Sequence, residues 1–298
     1  MPRHSFLQFL RSAVDFFLFS NLFVALAVTG LTCETFFLIN LHDYKYPVFI
    51  FFSTLFLYNF HRVFRMEYRS EKEQKENRHY WVKGHAVYFY LILIIAFTGV
   101  VYSLIFFLNI RTIFFLIPVG IISFGYSIPF IRTSKGLIRL RDVPGLKIFL
   151  ISFVLSCVTV LLPVTCYNGN VKLMDPALGF IFVRRMLFVF AITIPFDIRD
   201  MEYDGENNAK TIPLIFGIEK SKKIALAALM VFILLALAQY LSIKNTNAFY
   251  IFALIVSSIL TSVIILQTNR DRKEYFYSFL VEGTMLMQCL LVFLANKF

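Results

Sequence analysis

The chain reads as an all-α, polytopic membrane protein of about nine transmembrane helices, and three observations lead there. Apolar residues fill 59% of its 298 positions and charged residues only 16%, against roughly 25% charged in a soluble domain. Mean hydropathy is +0.73. The apolar residues also arrive in runs of about 20, the length a helix needs to cross a bilayer, while the strand-length alternation of a barrel is absent. Lipid cannot hydrogen-bond a backbone, so such runs must satisfy their own peptide groups as helices.

The runs lie near residues 14–39, 46–64, 86–108, 112–130, 147–166, 178–197, 223–243, 247–267 and 277–296, separated by polar punctuation. The first, from about Ala13 to Asn40, lacks a small-residue cleavage signature and is read as one retained helix, not a signal peptide. The amino terminus and the loops after runs 2, 4, 6 and 8 hold 22 of the 29 Lys and Arg residues, which predicts a cytoplasmic amino terminus. An odd number of spans then places the carboxyl terminus outside. The formal charge of +11 is explained by these short basic loops, so no nucleic-acid partner is expected. Cys33, Cys157, Cys166 and Cys289 lie in or beside apolar runs with no zinc-type spacing. The whole chain, 1–298, is expected to form one transmembrane domain.

Two segments on the basic side mix acidic with basic residues at helix ends. The first is Tyr58-Asn-Phe-His-Arg-Val-Phe-Arg-Met-Glu67, followed by charge as far as Lys83. The second is Pro195-Phe-Asp-Ile-Arg-Asp-Met-Glu-Tyr-Asp204, continuing to Thr211-Ile-Pro213. They stand four runs apart and therefore emerge on the same membrane face, which argues for two parallel four-helix pseudo-repeats plus one helix. Many ion-coupled transporters instead show inverted repeats.

Asp197, Asp200 and Asp204 are spaced i, i+3, i+7, on one face of a helix that continues past the membrane boundary. Their mutual repulsion is relieved either by a hard divalent cation or by water and Arg199 at a solvated helix end. In the first segment Asn59, Val63 and Glu67 share an i, i+4, i+8 face. Asn59 and Glu67 offer oxygen atoms; Val63 offers none.

Together these segments resemble the two Asp-rich motifs of the UbiA superfamily of intramembrane prenyltransferases. Asp197-Ile-Arg-Asp200-Met-Glu-Tyr-Asp204, then Lys210-Thr-Ile-Pro213 and Gly217, is similar to the second motif and its trailing Thr-Leu-Pro-type segment. Tyr126-Ser-Ile-Pro129 with Arg132 and Lys135 resembles the family's Tyr-Ser-x-Pro loop. The first motif departs from the usual Asn-x-x-x-Asp pattern, because Val63 stands where an aspartate is expected.

The resemblance implies Mg²⁺-dependent transfer of a prenyl group from an isoprenyl diphosphate to an aromatic or other lipophilic acceptor, in a bacterial cytoplasmic membrane. It implies Asp197, Asp200 and Asp204 as catalytic metal ligands, with Asn59 and Glu67 at a second metal. Asn59, Arg62, Tyr126, Arg132 and Lys135 are implied to bind substrate, with Arg132 and Lys135 ahead of Arg139, Arg141 and Lys147 as the diphosphate grip. The intramembrane acid Glu282 is left outside the site. The altered first motif keeps a second reading open: a catalytically silent relative that still binds a polyprenyl or quinone-like lipid. An ion-coupled transporter is a third reading.

Overall fold

A computed structural model of the chain describes residues 2–39, 43–66, 86–129, 131–133, 136–166, 175–206, 209–243 and 247–297. The fold is helical almost throughout. Helix α1 (Pro2–Phe19) is followed by α2 (Leu22–Ile39), α3 (Lys45–Met66), α4 (Ala86–Phe106) and α5 (Ile110–Gly125). A small antiparallel hairpin, β1 (Ile131–Thr133) and β2 (Gly136–Ile138), pairs Arg132 opposite Leu137. Helix α6 (Leu146–Ser156) passes through a π-helical turn, Cys157–Leu161, into α7 (Leu162–Cys166). Then come α8 (Pro176–Arg199), the short α9 (Met201–Glu206) and α10 (Ile212–Phe216), α11 (Ile218–Ser242) and α12 (Ala248–Leu266). A second π-helical turn, Phe276–Val281, leads into α13 (Glu282–Ala295).

Local sequence explains several helix starts. Asn109, Asp175 and Asn247 each accept a backbone N–H of the first turn, opening α5, α8 and α12, and Pro176 follows Asp175 at the first helical position, where its missing N–H costs nothing. In the interior, Ser and Thr hydroxyls turn back on their own helices, as Ser152 Oγ does to Ile148 O and Thr193 Oγ1 to Val189 O. These contacts keep polar atoms satisfied where water is scarce.

Seven described helical stretches are long and apolar enough to cross a membrane, and α5 is a shorter apolar helix. The exact number of about nine spans is not confirmed by that count. Helix α3 is long enough at 22 residues but closes on the polar Asn59, His61 and Arg62. The first apolar run is also two helices rather than one. Ser20 and Asn21 break it, and Asn21 takes a left-handed φ of 66°, a conformation that asparagine tolerates better than most residues.

The centre of the bundle is α2 and α8. Val28 and Leu31 from α2, Phe188 and Ile194 from α8, and Leu229 from α11 are all buried in one apolar core. One ion pair crosses that core: Arg185 Nη2 lies 3.0 Å from Glu34 Oε2, both side chains almost wholly buried. A buried charge without its partner is strongly destabilising, so this pair constrains how α2 and α8 face one another.

Candidate active site

One large cavity, about 1500 Å³, opens among α3, α4, α5, α6 and α8. Its wall changes character with depth. Apolar residues such as Phe49, Leu104, Leu116, Val158 and Val189 line one end, and His61, Arg62, Lys147, Asp197, Arg199 and Asp200 gather at the other. Along the α6 axis the lining runs from Lys147 to Val158, about 16 Å at 1.5 Å per residue. The volume exceeds the roughly 300–1,000 Å³ of a typical small-molecule site.

Lys147 joins the acidic segment together. Gly145, with a φ of 72°, turns the chain into α6, and its N–H donates to Lys210 O at 3.2 Å. That places Lys147 in the first turn of the helix, facing the end of α8. Its Nζ lies 2.7 Å from Asp197 Oδ1 and 3.0 Å from Asp204 Oδ2. Asp197 is only 1% exposed, and its second carboxylate oxygen, Oδ2, accepts no hydrogen bond among the described residues. A buried anionic oxygen left in this state is suited to a cation.

Asp200 takes a different partner. It caps α8 at φ −86°, ψ 7°, and its N–H still reaches Phe196 O, so α9 continues nearly in line. Its carboxylate receives Arg199 Nε at 2.7 Å and Nη2 at 3.2 Å. The same guanidinium donates to Glu274 Oε1 at 3.0 Å and lies over the rings of Phe196 and Tyr277. The three aspartates predicted to share a face thus divide: Asp197 and Asp204 meet at Lys147, and Asp200 meets Arg199. Among the described residues no cluster of three or more acidic, His or Cys side chains is already disposed to hold a metal.

The first segment is used differently. Asn59 is fully buried; its Nδ2 donates to Ser20 O at 3.1 Å and Leu55 O at 2.9 Å, and its Oδ1 accepts from Asn21 Nδ2 at 3.0 Å. Arg62 donates to Phe19 O and, at 2.8 Å, to Asn21 Oδ1. Both side chains therefore hold the elbow between α1 and α2, while Arg62 also lines the cavity mouth. Val63 is half-buried, and Glu67 lies outside the described residues.

Tyr126 lines the mouth beside His61, ring centroids 5.7 Å apart, and the Arg141 guanidinium lies over it at 5.9 Å. Arg132 is exposed on the hairpin and does not line the cavity; Lys135 lies outside the described residues. Sequence reasoning put Lys147 behind Arg132 and Lys135, whereas the structure sets Lys147 against the aspartates; it did not consider the Asn269–Tyr275 segment, which contributes Glu274 and Tyr275 to the mouth. Glu282 lines the cavity as well. Only the tertiary fold brings Lys147 to Asp204, 57 positions later in the chain.

The comparisons with known proteins bear on the family and the fold. Residues 82–283 match the sequence profile of the UbiA prenyltransferase family. The chain belongs to that family. The match contains Tyr126, Lys147 and all three aspartates but begins after the first segment, where Val63 breaks the motif. A UbiA homologue from Archaeoglobus fulgidus bound to GPP and Mg²⁺ has the same fold, with a TM-score of 0.64 at 12% identity, covering 94% of this chain and 100% of that one. A structure of a UbiA homologue from the same organism bound to DMAPP and Mg²⁺ gives 0.63 at 11% identity, covering 95% and 99%. At such identities the likeness is one of fold. No curated protein sequence matches the chain. Family membership and seven long apolar helices make this UbiA member an integral membrane protein.

Proposed function

We propose that the protein transfers a prenyl group from an isoprenyl diphosphate to a lipophilic acceptor, aromatic or otherwise, within its large cavity. The polarity gradient of that cavity carries the reading: an apolar depth suits an isoprenoid chain, and a charged mouth suits a diphosphate. The volume leaves room for an acceptor beside the donor. The basic loops put the mouth, and the amino terminus, on the cytoplasmic side.

Asp197 and Asp204, with Asp200 beside them, are the residues that would hold Mg²⁺, and Asp197 Oδ2, which accepts no hydrogen bond among the described residues, fits that role. Bound there, the ion would supply Lewis-acid stabilisation to the departing diphosphate. The chain's own cations, Lys147, Arg62 and Arg199, add positive charge around the same anion. When the allylic carbon–oxygen bond breaks, its electron pair leaves with the diphosphate and the carbon becomes electron-poor. Aromatic faces in the wall, among them Phe196 and Tyr126, stabilise such a cation, and the apolar lining keeps water from capturing it. The acceptor's nucleophilic atom then forms the new bond and loses its proton.

The test is diphosphate release by purified, detergent-solubilised protein given isoprenyl diphosphates of several lengths and a panel of acceptors, with Mg²⁺ or with chelator. Metal-dependent release matched by prenylated product is expected. Substrate binding without turnover would overturn the reading and favour a lipid-binding relative that has lost catalysis. Val63, and Asn59 with both its amide hydrogens donated within the chain, are the observations behind that second reading. In that event a Val63→Asp variant with restored turnover would show that the first motif is what was lost.

A further inference from the structure

We infer that Lys147 is an internal counter-cation that must leave the acidic motif before a divalent metal can bind there, so that diphosphate and metal enter together. The inference rests on the proposed use of Asp197 and Asp204 as metal ligands. The Lys147 ammonium lies within 3.0 Å of both carboxylates, where it balances part of their charge. A divalent ion placed on the same two carboxylates would stand against this ammonium, and like charges at such range oppose one another strongly in a site with little water. Metal binding alone is therefore disfavoured.

A diphosphate changes that balance. Lys147 lines the cavity mouth on a flexible four-carbon stem whose ammonium can turn between acceptors without altering α6. Diphosphate oxygens arriving from the cavity offer the ammonium an alternative anion. Once it turns to them, Asp197 and Asp204 would be free to hold the ion. The buried Asp197 Oδ2, which accepts no hydrogen bond among the described residues, is a second sign that this carboxylate is not fully served by Lys147 alone. The consequence is an ordered or concerted loading in which a metal without substrate finds the site closed by charge. By linkage, the coupling between the two ligands is reciprocal.

The measurement is Mn²⁺ binding to the full-length protein in detergent, by electron paramagnetic resonance, with and without inorganic pyrophosphate. The wild type is expected to bind Mn²⁺ weakly alone and on the order of tenfold more tightly with pyrophosphate, a usual size for coupled sites. Lys147→Met is expected to bind Mn²⁺ alone about tenfold more tightly than the wild type. Lys147→Arg, which keeps the charge and grips carboxylates by a planar fork, is expected to bind Mn²⁺ alone no better than the wild type. Equal Mn²⁺ affinity for wild type and Lys147→Met without pyrophosphate would overturn the inference and leave the metal ligands standing. Should Lys147→Met not fold, tighter metal binding by Lys147→Arg than by the wild type would overturn it instead. No Mn²⁺ binding by any form, even with pyrophosphate, would remove the metal reading itself and the inference with it.

Discussion

The ends of α3 and α8 meet at the mouth of one cavity, yet they spend their polar groups in opposite directions. At α3, Asn59 and Arg62 reach back to Phe19, Ser20 and Asn21 and hold the chain to itself. At α8, Asp197 keeps a carboxylate oxygen that accepts no hydrogen bond among the described residues, at the cavity wall. An amide such as that of Asn59, which donates both its hydrogens within the chain, has less left for a ligand. A helix end that holds an unsatisfied buried oxygen carries a local cost that binding can relieve. The difference separates the bracing done by Asn59 from the open valence of Asp197, at two segments that sequence alone presents as a matched pair.

The sharpest way to break this comparison is to neutralise one atom at the α8 end. Asp197→Asn is nearly isosteric and is expected to lower metal-dependent diphosphate release roughly 100- to 1000-fold, the scale for losing one electrostatic stabiliser of a developing charge. Its Mn²⁺ affinity in the presence of pyrophosphate falls in parallel. Turnover close to wild type would place the chemistry elsewhere in the cavity.

The converse experiment sits at the α3 end. Asn59→Ala removes a donor to Ser20 O and an acceptor for Asn21 Nδ2 in a site with no exposure, and each buried group so stranded costs about 1–3 kcal/mol. A lower melting temperature in detergent is expected, with Mn²⁺ affinity unchanged in the presence of pyrophosphate. If the affinity collapsed while the stability held, Asn59 would belong with the metal ligands after all, and the two helix ends would be alike.

Much of this was legible in the sequence, for a physical reason. A bilayer forces helices on any long apolar run, so the fold class follows from composition and run length, and charge asymmetry marks one side of the bundle. The acidic run from Asp197 to Asp204 was visible because its members are close in the chain. What escaped was tertiary or conformational. Lys147 meets Asp197 across a fold, and the apolar run from Ala13 to Asn40 hid a break at Asn21, since hydropathy does not register a left-handed φ. The Ser20-Asn21 pair inside that run was the available signal. The division of the three aspartates between Lys147 and Arg199 was invisible because helical spacing fixes a face, and leaves the partners to the neighbouring helices.

The smallest effect tests whether acids at this end of the molecule outside the cavity are merely structural. Asp142 Oδ2 accepts both the N–H and the Nε of Arg139, each at 2.9 Å, closing the turn that precedes α6. Burial works to raise its carboxyl, but the hydrogen bonds and charge of Arg139 outweigh it, with help from Arg141, and hold it below the ordinary aspartate range. A carboxylate with a depressed folded value contributes stability that is complete above its unfolded value and is lost as pH falls through the folded one. The side chain is about a third exposed (32%), so solvent screening limits the contribution to roughly 0–1 kcal/mol. Asp142→Asn is therefore expected to melt slightly below the wild type near neutral pH, and the gap should close as pH drops below about 4. A gap that instead widened on acidification would reverse the sign of the interaction.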